Sequence, residues 1–380
     1  MNDPLRVGLI GCGNITLNEH APALKALDGV RVTAIADPVA ARREKVQALL
    51  GLPTSAGFAH HRALLDSGVD YVTLTVPQKF RRPIIEDCAK AGVHVLTEKP
   101  IATTPADAQA MIEVMRAANL RYGMVHNYLY YPEYTLAREL ITSGAIGTLR
   151  HVALNFLGMP DHPGAAEYHP QWRHDPVEAG GGILMDMVHA IYLAEFFMGG
   201  PIHAVTAVVD NLDHLGEAVE DFTLVDYHFD SGYATVNMWW GGGPGCLEIG
   251  GTQGRILVFY EHYATGPFTP LASFTLVNRE GRQDFHPRAG KYSNNNFVHI
   301  HANFVEAIRV GRDPIAPGEA GLRSLEAALA AYASAATGRA VPLPFSPDDP
   351  VYQRGVMGLR ELPLWKNSPL LKRGVFGLHT

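Results

Sequence analysis

The chain is 380 residues long, 47% hydrophobic and 18% charged, with a formal net charge of −7. That length accommodates about two domains with sizeable cores, and an acidic balance without a long basic tract argues against nucleic acid or an anionic membrane as partner. No apolar run approaches the roughly 20 residues of a membrane span.

Met1-Asn2-Asp3-Pro4 leads straight into a strand with no signal peptide. Cys12, Cys88 and Cys246 are dispersed without metal or redox spacing, so a reducing, cytoplasmic setting is expected.

The first third alternates strands and helices. Apolar Leu5–Ile10 ends in Gly11-Cys12-Gly13-Asn14, and a helical pattern follows through Leu24. Val30–Ala36 closes on Asp37 and precedes amphipathic Ala40–Leu50. Asp70–Val76 is rich in β-branched residues and stopped by Pro77; Ile84–Ala91 is helical. His94–Thr97 is a strand, Pro105–Ala118 a helix and Arg121–His126 a last strand. The spacing predicts right-handed βαβ units and a doubly wound parallel sheet, a Rossmann domain over residues 1–125.

Glycine at Gly11 and Gly13 permits a tight strand-to-helix turn, and it lets backbone at Asn14 and Ile15 approach a pyrophosphate at the helix N-terminus. The third fingerprint position is Thr16, which asks for looser helix–sheet packing. Asp37, at the end of the second strand, suits both ribose hydroxyls of NAD and repels a 2′-phosphate. NAD is therefore expected over NADP, although Arg42 and Arg43 can reach a phosphate from the next helix. Thr75, Pro77, Glu98, Lys99 and Asn127 complete the expected cofactor set. Lys99 is the most informative of these. Pro100 continues neither strand nor helix, so Lys99 is held at a strand's carboxyl end, where its ammonium can stabilise a forming alkoxide.

After Val125 the pattern changes. Pro132–Ser143 reads as a helix and Leu149–Leu157 as a strand; a Gly/His/Pro-rich loop spans Gly158–Ala179, and one helix runs from Gly182 to Met198. Six strands follow: His203–Val209, Asp221–Phe229, Tyr233–Trp240, Cys246–Gly250, Arg255–Tyr260 and Ala272–Asn278. Their period-2 alternation suits an antiparallel sheet with helices on one face. Phe297–Val310 and Gly318–Thr337 are closing helices of an α+β domain over residues 126–344. The 345–380 tail combines prolines with Tyr352, Leu359, Trp365, Leu371 and Phe376, so it is expected to dock on its own subunit or a neighbour rather than be disordered.

The turn Gly11-Cys12-Gly13-Asn14-Ile15, Glu98-Lys99-Pro100, Val125-His126-Asn127-Tyr128, Trp172-Arg173, and Gly180-Gly181-Gly182-Ile183-Leu184-Met185-Asp186 with His189 occur in this order over nearly the whole chain. In that order they resemble the glucose–fructose oxidoreductase / inositol dehydrogenase / MocA family. The resemblance implies a Rossmann domain, a C-terminal domain with an open sheet, and a nicotinamide cofactor in the cleft between. It also implies oxidation or reduction of a ring hydroxyl of a sugar or cyclitol, with the lysine and a histidine in acid–base roles.

Asp186 and His189 are three apart in a helical stretch and share a face, so the carboxylate can orient the imidazole. His189 then takes the hydroxyl proton and Lys99 stabilises the alkoxide. Relatives carry a four-residue step here, and losing one residue rotates a side chain by about 100°. Their acidic position three after the histidine is Tyr192, and their histidine after the Thr-Pro turn is Arg81.

Tyr128, His169, Trp172 and Arg173 join Lys99, Asp186 and His189 as expected substrate contacts. No metal is expected, because the His and Asp residues lack compact ligand spacing. A small carbohydrate or cyclitol is the expected partner, and an apolar open sheet face predicts a homodimer or homotetramer. Two other readings stay open: an NAD-dependent glycosidase using transient oxidation, and a non-catalytic NAD(P)-binding sensor.

Overall fold

Every strand of the first third joins one parallel sheet. Leu5–Ile10 (β1), Val30–Ala36 (β2), Gly57–Phe58 (β3), Tyr71–Leu74 (β4), His94–Thr97 (β5) and Tyr122–Met124 (β6) lie in the order β3-β2-β1-β4-β5-β6. All neighbouring pairs are parallel. The order reverses between β1 and β4, the point at which such sheets bind ligands beyond their carboxyl ends. Val7–Ile10 and Tyr71–Leu74 are buried throughout, as strands covered on both faces must be. The crossovers are helices Ala21–Ala26 (α1), Ala40–Leu50 (α2), His61–Asp66 (α3), Arg81–Lys90 (α4) and Pro105–Ala117 (α5). Thr104 caps α5 by accepting from the Asp107 N–H, with Pro105 in the first turn.

This computed structural model describes residues 3–161, 171–214, 216–261, 270–289 and 296–379. The chain divides into two compact units. The first holds the parallel sheet and takes back, from within the 126–344 segment, helix Asn296–Val310 and the chain as far as Leu322.

The second unit begins with helix Pro132–Thr142 (α6) and strand Leu149–Leu157 (β7). The helix expected over 182–198 is two pieces. After short Pro176–Ala179 (α7) come Ile183–Asp186 (α8) and Val188–Met198 (α9), broken at Met187 with φ −101° and ψ 33°. The remaining strands are Ala204–Asp210 (β8), Phe222–Phe229 (β9), Gly232–Trp239 (β10), Cys246–Gly251 (β11), Gly254–Tyr260 (β12), Leu271–Asn278 (β13), Gly281–Phe285 (β14) and Val341–Pro342 (β15). They form, with β7, a sheet of order β14-β13-β12-β11-β7-β10-β9-β8-β15, in which, among the described residues, only β7 and β10 pair in parallel.

One face of that sheet is covered. Helix α9 packs on β7 and β10, and its fully buried Ile191, Leu193 and Phe197 contribute roughly 1.5–3 kcal/mol each. Asn296–Val310 (α10) and Gly318–Thr337 (α11) follow in the chain. Beyond them, Pro350–Arg354 (α12) and Pro369–Arg373 (α13) belong to a tail whose Val351, Leu359, Leu370, Val375 and Phe376 are buried in this unit. Its attachments are specific: Trp365 N donates to Ala336 O at 2.8 Å, Ser368 Oγ to Ala335 O at 2.8 Å and Phe376 N to Ala218 O at 2.8 Å. Trp365 itself is 46% exposed, so backbone and smaller apolar groups do the anchoring. Among the described residues no single helix is long and apolar enough to cross a membrane.

Candidate active site

In the first unit, the loop after β1 is shaped for an anion. Gly11 has φ +97°, and a Cβ there would lie 2.5 Å from Thr75 Oγ1, so only glycine fits this close approach. Gly13 is different: a Cβ there would meet nothing within 4 Å, which leaves open space at the start of the helix that begins at Asn14. The Thr16 problem is solved locally. Residues Thr16–His20 form a π-turn, and buried Thr16 donates to Gly11 O at 2.7 Å and meets Thr75 Oγ1 at 2.8 Å. The wider turn makes room for a side chain where a third glycine would bring helix and sheet closer.

Asp37 is buried at the end of β2 with both oxygens engaged, accepting from Cys12 N at 2.9 Å and Val39 N at 2.8 Å. Arg43 Nη1 donates to the backbone carbonyl of Asp37 at 2.6 Å, so a guanidinium is tied to the end of β2. Burial and the Asp37 charge push the Cys12 thiol up to about 12, which keeps it protonated and inert. An open glycine turn, a helix start and a fixed acid at the end of β2 fit a dinucleotide.

The Glu98-Lys99-Pro100 segment is held on three sides. Arg81, fully buried, donates through Nη1 to the carbonyls of Glu98 and Pro100 and through Nε to Val76 O at 2.9 Å. Glu98 Oε2 accepts from Lys99 N at 3.1 Å, while Oε1 lies 3.1 Å from His20 Nε2. Behind it, His20 Nδ1 meets His301 Nε2 at 3.1 Å and His301 Nδ1 meets Tyr71 Oη at 3.4 Å. Burial alone would raise the Glu98 carboxyl, but the His20 hydrogen bond with nearby Lys99 and Arg81 outweighs it and holds the group ionised. Burial pushes His301 well down, so it stays neutral. Lys99 is thus half-buried at the carboxyl end of β5 on a backbone clamped by a cation and an anion.

In the second unit, Gly180–Gly182 lead into α8. A Cβ on Gly181, at φ +156°, would lie 2.1 Å from Tyr332 Oη, and one on Gly182 2.0 Å from Glu220 O. Fully buried Glu220 accepts from Gly182 N at 2.9 Å, Leu184 N at 3.0 Å and Tyr332 Oη at 2.7 Å, which caps α8. The break at Met187 takes Asp186 and His189 off a single helix. His189 Nδ1 lies 2.6 Å from the Tyr192 hydroxyl, and its ring stacks on Tyr128 with centroids 4.1 Å apart. Asp186 Oδ1 is 3.7 Å from Arg173 Nε, and the Arg173 guanidinium lies over the Trp172 ring. Asn127 and Tyr128 occupy a buried turn, and Tyr128 N donates to Tyr192 Oη at 3.1 Å. His169 lies outside the described residues. Asp161 meets His174 at 3.0 Å and His214 at 4.0 Å; among the described residues, no group of three His, Cys, Asp or Glu can hold a metal.

Two sequence models of one family match this chain, the NAD-binding Rossmann fold of the oxidoreductase family over residues 5–126 and the GFO/IDH/MocA C-terminal domain over residues 134–257. The chain belongs to the Gfo/Idh/MocA oxidoreductase family. It is an enzyme, an oxidoreductase with an NAD(P)-binding Rossmann domain. A relative from Actinomadura kijaniata, dTDP-3,4-didehydro-2,6-dideoxy-alpha-D-glucose 3-reductase, is 27% identical over 331 residues, 84% of this chain and 92% of that protein. The myo-inositol 2-dehydrogenase of Thermotoga maritima is 26% identical over 89% of this chain and 98% of its own. In fold, the aldose-aldose oxidoreductase of Caulobacter crescentus is similar with a TM-score of 0.79, at 24% identity over 90% of this chain and 100% of that one.

Within this family member, sequence reasoning missed His20, His301, Glu220 and Tyr332. Glu220 had a weak signal, an acid two residues before strand β9. His20 had none, because its burial against Glu98 depends on the π-turn.

Proposed function

We propose that this oxidoreductase is an NAD-dependent dehydrogenase acting on a ring hydroxyl, or the corresponding ketone, of a sugar, sugar derivative or cyclitol. The observation that carries this is the clamped Lys99: an ammonium on a rigid backbone, at the carboxyl end of β5 in the sheet that carries the glycine turn. Relatives named for a deoxysugar reductase and an inositol dehydrogenase support the substrate class. Bound NAD supplies the hydride acceptor. Gly11, Gly13, Asn14, Ile15, Thr75 and Pro77 line its phosphate end, Asp37 takes the ribose hydroxyls, and Glu98 and Asn127 contact the nicotinamide half. Lys99 stabilises the alkoxide charge, and His189 takes the hydroxyl proton in oxidation and returns it in reduction. Tyr128, His169, Trp172, Arg173 and Asp186 bind the polyol.

The test is NADH formation by purified protein with NAD or NADP across inositols, aldoses, anhydrosugars and nitrophenyl glycosides. NADH from a polyol or aldose is the expected result. Nitrophenol release without net NADH, or measurable NAD binding with silence on every substrate, overturns the reading. In the same assay, Asp37→Ala is expected to lower kcat/KM for NAD about 10- to 100-fold, the value of a charged hydrogen bond. It should improve NADP, because a repelling carboxylate goes while Arg42 and Arg43 remain. An unchanged NAD/NADP ratio refutes the Asp37 role.

We also propose a homodimer or homotetramer through the open sheet face. Val208, Leu224, Tyr233 and Phe259 are 46%, 41%, 56% and 45% exposed, and strand pairing puts all four on one face. Light scattering should give a multimer for the wild type and a smaller species for Leu224→Arg. A monomeric wild type disproves the interface.

A further inference from the structure

The histidine expected to act as base is held from two directions. Tyr128 stacks on its ring at 15° between planes, and the Tyr192 hydroxyl sits 2.6 Å from Nδ1. That hydroxyl is itself fixed, because Tyr128 N donates to it at 3.1 Å and Tyr192 is 3% exposed. One oxygen lone pair is therefore occupied by a backbone N–H, and the 2.6 Å contact fits either the hydroxyl donating to Nδ1 or an Nδ1–H donating to the second lone pair; only the second leaves Nε2 bare. With Nδ1–H donating to Tyr192, the neutral imidazole presents a bare Nε2, the tautomer a base needs.

Among the described residues, the strands packed on the helix of His189 bring apolar groups to it. Strands β7 and β10 pack on α9 through apolar Val152, Leu154, Phe156, Ala234, Val236 and Met238. Helix α6 brings Tyr134 and Arg138 to Phe197 at the other end of α9, and Glu133 of α6 pairs with Arg288. Segment 127–130 contributes Tyr128. Asp186 of α8 is the nearby carboxylate in the chain, and it has Arg173 at 3.7 Å.

We propose that Tyr192 is a positioning residue for the acid–base step, a neutral hydroxyl doing at Nδ1 of His189 what a carboxylate does in a charged dyad. The inference rests on the dehydrogenase reading above. In oxidation the substrate O–H bond breaks and its proton goes to Nε2, the carbinol C–H electrons leave as hydride to bound NAD, and the C=O bond forms. The resulting imidazolium keeps its Nδ1–H on the Tyr192 oxygen. A hydroxyl orients the ring but adds no negative charge, so the imidazolium is less stabilised than beside a carboxylate, and the neutral base persists to lower pH.

The test is the pH dependence of kcat and KM for wild type, Tyr192→Phe, Tyr192→Glu and His189→Ala. Tyr192→Phe removes only the hydroxyl and is expected to lower kcat by roughly 10- to 100-fold, short of the ~10²–10⁴ of the base itself, with KM within about threefold. Tyr192→Glu is expected to recover part of that kcat and to move the acidic limb of the oxidation profile to higher pH by about one unit. A purely structural tyrosine would alter melting or KM and leave the limb in place. If His189→Ala keeps wild-type kcat, the base assignment fails and this inference with it. If His189→Ala is inactive while folded Tyr192→Phe has the wild-type kcat and profile, this inference alone fails. Should Tyr192→Phe lose its fold by circular dichroism, an unshifted limb in Tyr192→Glu overturns the proposal.

Discussion

Lys99→Met is expected to lose a factor on the order of 10²–10³ in kcat/KM, the usual value of one donor aimed at a developing oxyanion. The substitution keeps the length and apolar stem of the side chain and removes only the charge. The backbone around it does not depend on that charge: Arg81 holds the carbonyls of Glu98 and Pro100, and Glu98 holds the Lys99 N–H. Stability should therefore change by no more than about 0.5 kcal/mol, as for a position outside the core. NAD binding, followed by tryptophan fluorescence or calorimetry, should persist. A variant that binds NAD and turns over at the wild-type rate removes Lys99 from the chemistry.

Glu220→Ala is expected to be the most damaging single change to the second unit. It leaves the N–H groups of Gly182 and Leu184 and the Tyr332 hydroxyl without their acceptor, each orphaned donor costing about 1–3 kcal/mol. The loss should total a few kcal/mol and appear as a fall of several degrees in Tm. Because Glu220 caps α8, which carries Asp186 and leads into the helix of His189, activity should fall with it.

The same residue gives stability a pH dependence of defined sign. Burial pushes its carboxyl up to about 7, against the pull of the Tyr332, Leu184 and Gly182 donors. An unfolded glutamic acid titrates near ~4.3, so between about 4.3 and 7 the folded chain binds the extra proton. That contribution is fully present below about pH 4.3 and is lost as pH rises through about 7, at most ~4 kcal/mol. Glu326, also pushed up to about 7 by burial, acts in the same sense. Thermal melts from pH 5 to 8 should slope downward, and Glu220→Gln should flatten the slope without abolishing it. Identical slopes would mean that Glu220 keeps one protonation state throughout.

Much of the fold was legible because its signals are local. Leu5–Ile10, Val30–Ala36, Ala40–Leu50, His94–Thr97, Leu149–Leu157 and Gly318–Thr337 stand where hydrophobic period, glycine and proline put them. Among the misses are strands without a local signal. Gly57–Phe58 and Val341–Pro342 are two-residue strands that exist only because a neighbouring edge offers hydrogen bonds. Gly281–Phe285 is an almost wholly exposed hairpin arm with no buried face to pattern it. The Met187 break was foreshadowed only by the shortened step between Asp186 and His189.

The sequence by itself determined the Rossmann topology, the glycine turn, the Glu98-Lys99-Pro100 strand end and the family, because these depend on residue type at short spacing. Tertiary structure alone decided what surrounds the reacting groups. His301 comes from 281 positions beyond His20 to complete the chain behind Glu98, and Tyr332, 112 beyond Glu220, completes the cap on α8. The break at Met187 took Asp186 off the helix of His189 and left Nδ1 to Tyr192, three residues on along the same helix, since such a break re-aims side chains by a large fraction of a turn. Buried polar groups must find partners wherever the packed chain brings them, and no local pattern encodes that partner.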